Sequence, residues 1–158
     1  GYLGAPKPMR EYNVKINALA CKAAFEASWE KVITPLDTCG TVQLEGTRLQ
    51  QVLESAKNDP ITAIAVDNHF AWFKAVGDWP IVGEMNPSEQ TSVLYDSVAI
   101  FLAFSTEYLS METLPIRVTE DGKTLIDEEH GKAVSCAMDW QDKDGFLDLL
   151  AARLSGRV

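Results

Sequence analysis

Residues 34–70 read TPLDTCGTVQLEGTRLQQVLESAKNDPITAIAVDNHF, and this stretch decides the predicted fold. Two glycines enclose the alternating run 41–45, which is typical of a half-buried strand. Apolar side chains then recur at helical spacing from residue 49 to residue 53, and the apolar run 61–66 predicts a second strand. The stretch therefore predicts the order turn, strand, helix, strand.

The segment before this stretch predicts one strand and one helix. Residues 12–16 alternate like a half-buried strand, and Asn17 suits the N-cap of a helix over 18–32, which a following proline would end. Residues 1–8 predict an irregular leader, which is either what remains after removal of a signal peptide or an addition ahead of a native methionine. Residues 9–158 then predict one globular domain.

The residues after the central stretch predict a hairpin, two helices and three further strands. Residues 67–68 suit a reversal between strand 61–66 and a partner strand over 69–76. Residues 86–87 suit the start of a helix over 87–104. The remaining predicted elements are a loop over 77–85, strands over 114–119, 124–126 and 132–138, a turn over 120–123, a connector over 127–131 and a helix over 142–153. Together they predict a single α+β domain in which helices pack around a mixed or antiparallel sheet.

Composition narrows the classes of partner. At 158 residues, 46% of them hydrophobic, the chain is long enough to bury one core. Fourteen basic and 23 acidic residues give a net charge of -9, which argues against binding nucleic acid or an anionic membrane through a basic face. No apolar run approaches the about 18 residues that a membrane span needs, so we expect no membrane insertion. An acidic balance is compatible with solubility alone, and it equally suits a protein that docks onto a basic partner or one that mimics nucleic acid.

Few residue types point to catalysis. The two histidines, His69 and His130, are far apart in the sequence, and the spacing of the three cysteines matches neither a disulfide scaffold nor a zinc site. His69 lies beside Trp72, so this region either lines an apolar pocket or belongs to the core. A Cys–His nucleophilic pair stays an alternative because such partners meet only in space. Whether the chain is an enzyme is thus left open.

Acidic residues cluster between residues 120 and 129. Asp127, Glu128 and Glu129 follow the predicted hairpin, and their spacing lacks the oxygen-ligand pattern of a calcium loop. They predict a solvated edge. Because exposed acidic clusters steer association, this edge is also the surface on which we expect a basic protein partner to dock.

Two groups of motifs stand in the same order as in a known family. The first comprises Gly40, Leu44, Gly46, Leu49 and Val52-Leu53, followed by Ala63-Ile64-Ala65-Val66-Asp67. The second comprises Leu102-Ala103-Phe104, Glu107-Tyr108-Leu109 and Pro115-Ile116-Arg117-Val118. Together they resemble the oxidoreductase molybdopterin-binding domain of sulfite-oxidase type, in particular its short, exported, single-domain members.

The resemblance implies a sulfite-oxidase-type topology, a molybdopterin cofactor and a periplasmic or secreted location; without it, a cytoplasmic location is expected. It assigns Arg117 to a pterin phosphate; the alternative is a strand arginine that caps backbone carbonyls or pairs with an acidic residue. It places His69 and Trp72 beside the same cleft, and it makes Cys39 the candidate metal ligand. Cys39 stands only seven residues before Gly46, closer than the family's thiolate does, which favours a cofactor-free descendant that binds a small anionic ligand.

Two further hypotheses come from other classes of function. One is a non-catalytic acidic interaction module or inhibitor, which would work through Asp127, Glu128 and Glu129. The other is a structural subunit of a larger assembly.

Overall fold

The computed structural model describes residues 7–79 and 82–157, so residues 1–6 of the predicted leader lie outside it. Within the described residues the chain forms seven helices and one four-stranded mixed sheet. The predicted α+β class with a mixed sheet is therefore confirmed. The elements are α1 (Tyr12–Ile16), α2 (Ala18–Glu26), β1 (Val32–Ile33), α3 (Leu36–Cys39), α4 (Gly46–Ser55), α5 (Pro60–Val76), α6 (Tyr95–Leu102), β2 (Leu109–Val118), β3 (Thr124–Ile126), β4 (Lys132–Trp140) and α7 (Lys143–Leu154).

The described residues group into two compact units, each built from two separate stretches of chain. Unit 1 takes its residues from 1–41 and 95–141, and unit 2 takes its residues from 42–94 and 142–158. Unit 1 therefore contains the whole sheet with α1, α2, α3 and α6, whereas unit 2 contains α4, α5 and α7.

The sheet of unit 1 has the strand order β1-β4-β2-β3. β2 pairs antiparallel with β4 and with β3, and β1 pairs parallel with β4. Ile116, Val134 and Cys136 form a buried cluster on this sheet, and Phe25 of α2 packs against it. Helix α3 is tied to the same sheet, because the hydroxyl of buried Thr38 donates a hydrogen bond to a β4 carbonyl. These contacts fix α2 and α3 relative to the sheet.

Unit 2 is held together by α4, which packs against both α5 and α7. Its Leu49 and Val52 are buried, as the helical spacing predicts. Arg48 of α4 donates hydrogen bonds from Nε to Asp148 Oδ1 at 2.6 Å and from Nη1 to Asp144 Oδ1 at 3.0 Å, both on α7. The helix predicted over 142–153 is thus confirmed as α7.

The largest correction concerns residues 61–76. The predicted strands 61–66 and 69–76 with a reversal at 67–68 are wrong, because this whole segment is the single helix α5. Asp59 caps the helix by accepting a hydrogen bond from the Thr62 N–H at 2.9 Å, and Pro60 occupies the first turn. Both residues favour a helix start, whereas the apolar run alone does not distinguish a buried strand from a helix.

Run 41–45 is not a strand of the sheet either. Within unit 2, residues 42–45 pair with residues 90–94, about 50 positions later in the chain: Thr91 N–H donates to Leu44 O at 3.0 Å and Leu94 N–H donates to Val42 O at 2.8 Å. Alternation correctly predicts the burial of Val42 and Leu44, but it does not say which backbone groups they pair with. The strand–helix–strand unit predicted for residues 34–70 is therefore absent.

Three other predicted elements differ in type or length. Residues 12–16 form helix α1 instead of a strand, and α2 ends at Glu26 instead of residue 32. Asn17 is nevertheless the N-cap of α2, since its Oδ1 accepts a hydrogen bond from the Ala20 N–H at 3.0 Å. The helix predicted over 87–104 is shorter, because α6 begins only at Tyr95. The predicted strands of the C-terminal half are confirmed as β2, β3 and β4.

Candidate binding recess

An open recess of about 1020 Å³ lies in unit 1, at the end of β2 and the start of β4. We call it the charged recess, because most of its lining residues are ionisable. Helix α2, the end of β2, the turn after it, the loop before β4 and the start of β4 each contribute. The lining residues are Lys22, Glu26, Arg117, Val118, Thr119, Glu120, Glu129, His130, Gly131 and Lys132.

Arg117 and Asp127 form the fixed part of this recess. The Arg117 Nε donates to Asp127 Oδ2 at 2.5 Å. The other carboxylate oxygen, Oδ1, accepts the backbone N–H of Glu129 at 3.1 Å and that of His130 at 2.9 Å. Asp127 therefore ties the loop between β3 and β4 to strand β2. Both of its oxygens serve the fold, which leaves Glu128 and Glu129 as the exposed carboxylates of the loop.

The same contacts explain the acidity of Asp127. The hydrogen bond from the His130 N–H and the ion pair with Arg117 stabilise the charged form, and they lower the pKa of Asp127 from its ordinary value of 3.8 to about 2. A residue with this pKa stays ionised throughout the physiological range. Asp127 is consequently a permanent counter-charge for Arg117.

Gly131 allows the loop to lie directly on β2. Its N–H donates to Asp127 O at 2.8 Å, and the Asp127 N–H donates to Pro115 O at 2.8 Å. A Cβ atom at position 131 would overlap the carbonyl carbon and oxygen of Pro115 and lie 2.5 Å from Asp127 O. Only glycine fits this approach of backbone to backbone.

The turn after β2 forms another wall. Thr119 O–H donates to Asp121 Oδ1 at 2.6 Å, and Lys123 Nζ lies 2.7 Å from Asp121 Oδ2. These two contacts, first the one with Lys123 and then the one with Thr119, lower the pKa of Asp121 to about 2. Gly122 supplies the positive φ of 85° that the turn requires. The predicted turn over 120–123 is confirmed.

The charges that remain at the recess have both signs. Lys22 pairs with Glu26 one helical turn away, at 3.8 Å. Glu120 and Lys132 are exposed, and neither forms an ion pair with another described residue. Glu129 keeps 85% of its side-chain surface exposed. The recess can therefore offer carboxylates and ammonium groups to a ligand at the same time.

The structure does not place the predicted cleft residues together in one unit. Arg117 belongs to unit 1, whereas His69 and Trp72 lie on α5 of unit 2. His69 Nε2 lies 2.7 Å from Pro87 O, and because a carbonyl only accepts, Nε2 carries the proton of this bond. The His69 ring also packs edge-on against Phe73 at 5.0 Å. These contacts give His69 a structural role within unit 2.

Cys39, the candidate metal ligand, is buried in α3 with 5% of its surface exposed. Burial raises the pKa of its thiol and so disfavours the thiolate that a metal requires. In the described part of the chain, no three His, Cys, Asp or Glu side chains come close enough together to hold a metal ion. Burial likewise raises the pKa of Cys136 to about 11. Both cysteines lie in the core.

The sequence alone did not predict the charged residues that α2 and the start of β4 contribute to the recess. Lys22 and Glu26 face it from α2, and Lys132 faces it from the start of β4. Their i,i+4 spacing identifies Lys22 and Glu26 as neighbours on one helix face, but the packing of α2 on β2 is a contact between residues about 90 positions apart. No local pattern predicts such a contact.

No protein-family model matches the sequence, and no curated protein matches it significantly. Among the described helices, none combines the length and the apolar character that crossing a bilayer requires.

Proposed function

We propose that this protein is a non-catalytic binding module whose charged recess docks a basic segment of a protein partner. The observation that carries the proposal is the double use of Asp127, which fixes the loop while Glu128 and Glu129 stay exposed. A site held in advance in its binding geometry pays less entropy on association. The exposed carboxylates then attract the basic groups of the partner.

The mixed lining supports a particular kind of partner. Lys22 and Lys132 stand in the same recess as Glu120 and Glu129, so a continuous block of positive charge meets repulsion as well as attraction. A segment whose basic residues are separated by neutral ones fits this arrangement better. The chain's net charge of -9 adds long-range attraction for such a segment.

These contacts support the proposed binding module better than they support a molybdopterin-binding domain. The thiol of Cys39 is buried with a raised pKa, and Arg117 already pairs with Asp127, so the residues assigned to the cofactor do not fit a metal–pterin group. The resemblance also depends on a strand–helix–strand unit that is not formed, because residues 42–45 pair with residues 90–94 and residues 60–76 form helix α5. We therefore derive no redox step for this protein.

The test is a titration of the ¹⁵N-labelled protein with two synthetic peptides, followed by NMR. In one peptide, arginines alternate with pairs of serine or glycine; in the other, the same residues are rearranged so that the arginines form a block. We expect the spaced peptide to shift the amide signals of residues 119–132 and to lose affinity as salt is added.

Two variants with the same change in net charge provide the comparison. The triple variant E120Q/E128Q/E129Q neutralises two carboxylates of the recess lining and the neighbouring Glu128, and it leaves Asp127 and Glu26 intact, whereas E30Q/E84Q/E107Q neutralises three exposed carboxylates elsewhere. We expect the first to weaken binding of the spaced peptide about tenfold, from three exposed charge contacts of about 0.5 kcal/mol each, and the second to leave it nearly unchanged. Equal loss in both variants, or signals that shift only outside residues 119–132, would rule out the recess as the docking site.

A further inference from the structure

One face of α5 is apolar and exposed along most of the helix. Ile61 is 78% exposed, Ile64 64% and Trp72 39%. Ala65, Ala71 and Ala75 are exposed as well, and these six apolar residues fall together with exposed Asn68 on one helical stripe, which we call the α5 stripe.

The α5 stripe is not the face that serves the core of unit 2. Thr62 and Phe73 are the buried residues of α5, and His69 on the same side bonds to Pro87 O. Thr62 also donates a hydrogen bond to Leu154 O at 2.8 Å, which ties this side to the end of α7. The stripe lies beside this buried face and is interrupted only by Asn68. A group of exposed apolar residues on one face marks an interaction surface more often than scattered single residues do.

Two residues of opposite charge lie along one flank of the stripe. Asp67 and Lys74 are exposed, lie seven residues apart on one flank of the stripe, and form no ion pair with another described residue. We propose that the α5 stripe docks a second copy of this chain, with the two α5 helices antiparallel about a two-fold axis near residue 70. Asp67 of each copy then meets Lys74 of the other.

The sizes of the stripe residues agree with this orientation. Antiparallel pairing about that axis brings Ile64 of one copy opposite Ala75 of the other, and Asn68 opposite Ala71, so each larger side chain meets a small one. Parallel pairing would instead set Ile64 against Ile64 and would place Asp67 and Lys74 of the two copies on opposite sides of the contact. The same residues thus favour the antiparallel dimer and disfavour the parallel one.

The dimer is expected to be weak and reversible. A helix of 17 residues is about 25 Å long, and one helix face of that length buries well below the roughly 800 Å² per partner of a standard interface. We therefore expect a dissociation constant of about 10 μM or weaker. Such a dimer assembles and separates with protein concentration.

Sedimentation velocity over a concentration series tests the proposal. D67K and K74D should each weaken dimerisation about tenfold, because each turns two attractive contacts into two repulsive ones. The double variant D67K/K74D exchanges the charges and should restore dimerisation to within about twofold of the original chain. I64E should abolish the dimer, whereas I100E, at a residue of α6 that is 66% exposed, should leave it intact.

Circular dichroism on each variant establishes that α5 is folded. A chain that stays monomeric at about 1 mM overturns the proposal, and so does a failure of the double variant to restore what the single variants lose. The proposal also fails if the NMR amide signals of the stripe residues shift only when lipid vesicles or another protein are added, because that added component would then be what binds the stripe. Peptide binding at the charged recess is a separate measurement, so either proposal can fail while the other holds.

Discussion

Replacing Gly131 by alanine tests whether the loop beside the charged recess depends on close backbone packing. The new Cβ would overlap the carbonyl group of Pro115 and approach Asp127 O to 2.5 Å. These are backbone atoms of β2 and of the loop itself, so they cannot move aside as a flexible side chain can. Gly131 does not have a positive φ, which means that the expected cost is steric and not conformational.

The magnitude follows from comparison with two other glycines. Overpacking costs about 1–3 kcal/mol, and three backbone overlaps place Gly131→Ala near the upper end, at about 3 kcal/mol. Gly46 has a φ of 52° with no atom within 4 Å of an added Cβ, so alanine there meets only the left-handed backbone cost. That cost is about 1–2 kcal/mol, offset by about 0.5 kcal/mol from a stiffer unfolded chain. Gly122 combines a φ of 85° with a Cβ 2.7 Å from Lys15 Cα, so we expect about 4 kcal/mol.

Urea unfolding of the three variants, followed by circular dichroism and tryptophan fluorescence, gives the free energy of unfolding for each. The expected order of destabilisation is Gly122→Ala, then Gly131→Ala, then Gly46→Ala. If Gly46→Ala costs as much as Gly131→Ala, the cost at position 131 is not the overlap with Pro115 and Asp127. An unchanged stability in Gly131→Ala would refute the packing of the loop on β2.

Two further predictions concern titration and thiol chemistry. Because the folded-state pKa of Asp127 is about 2, below its ordinary value of 3.8, its contacts stabilise the protein fully above about pH 4, and this contribution is lost as the pH falls through about 2. The urea midpoint of Asp127→Asn should therefore lie below that of the unchanged chain at pH 6 and approach it at pH 2; a difference that persists at pH 2 would contradict this origin. Iodoacetamide at pH 7.5 should label Cys21, which is partly exposed, faster than buried Cys39 and Cys136, and peptide mapping should show equal labelling of all three only in urea. Rapid native labelling of Cys39 would contradict its burial.

Local residue chemistry predicted the elements that have strong start and stop signals. The turn at Gly122 and the strands on either side of it follow from alternation and turn residues, and Asn17 is the N-cap that its type suggests. The error at 61–76 has an equally local cause. The sequence Asp59-Pro60 carries a helix start, but the β-branched residues after it favoured a strand when taken alone.

The charged recess was predictable only in part. The acidic loop was recognised, but the pairing of Arg117 with Asp127 depends on the register of β2 and β3, in which Arg117 lies opposite Leu125. The turn over 120–123 sets that register, so the predicted hairpin already brings Arg117 close to Asp127. The contribution of α2 does not follow from any local rule, since helix-on-sheet packing is decided by the burial of distant residues.

The chain order of unit 2 has a consequence for biosynthesis. Helix α4 is complete at Ser55, whereas α7, which covers part of it, ends at Leu154, about 100 residues later. At roughly 5–20 residues per second, a nascent chain on the ribosome holds this side of α4 uncovered for about 5–20 s. Cotranslational folding can therefore complete the sheet before unit 2, and during this interval the side of α4 that α7 later covers is open to chaperones.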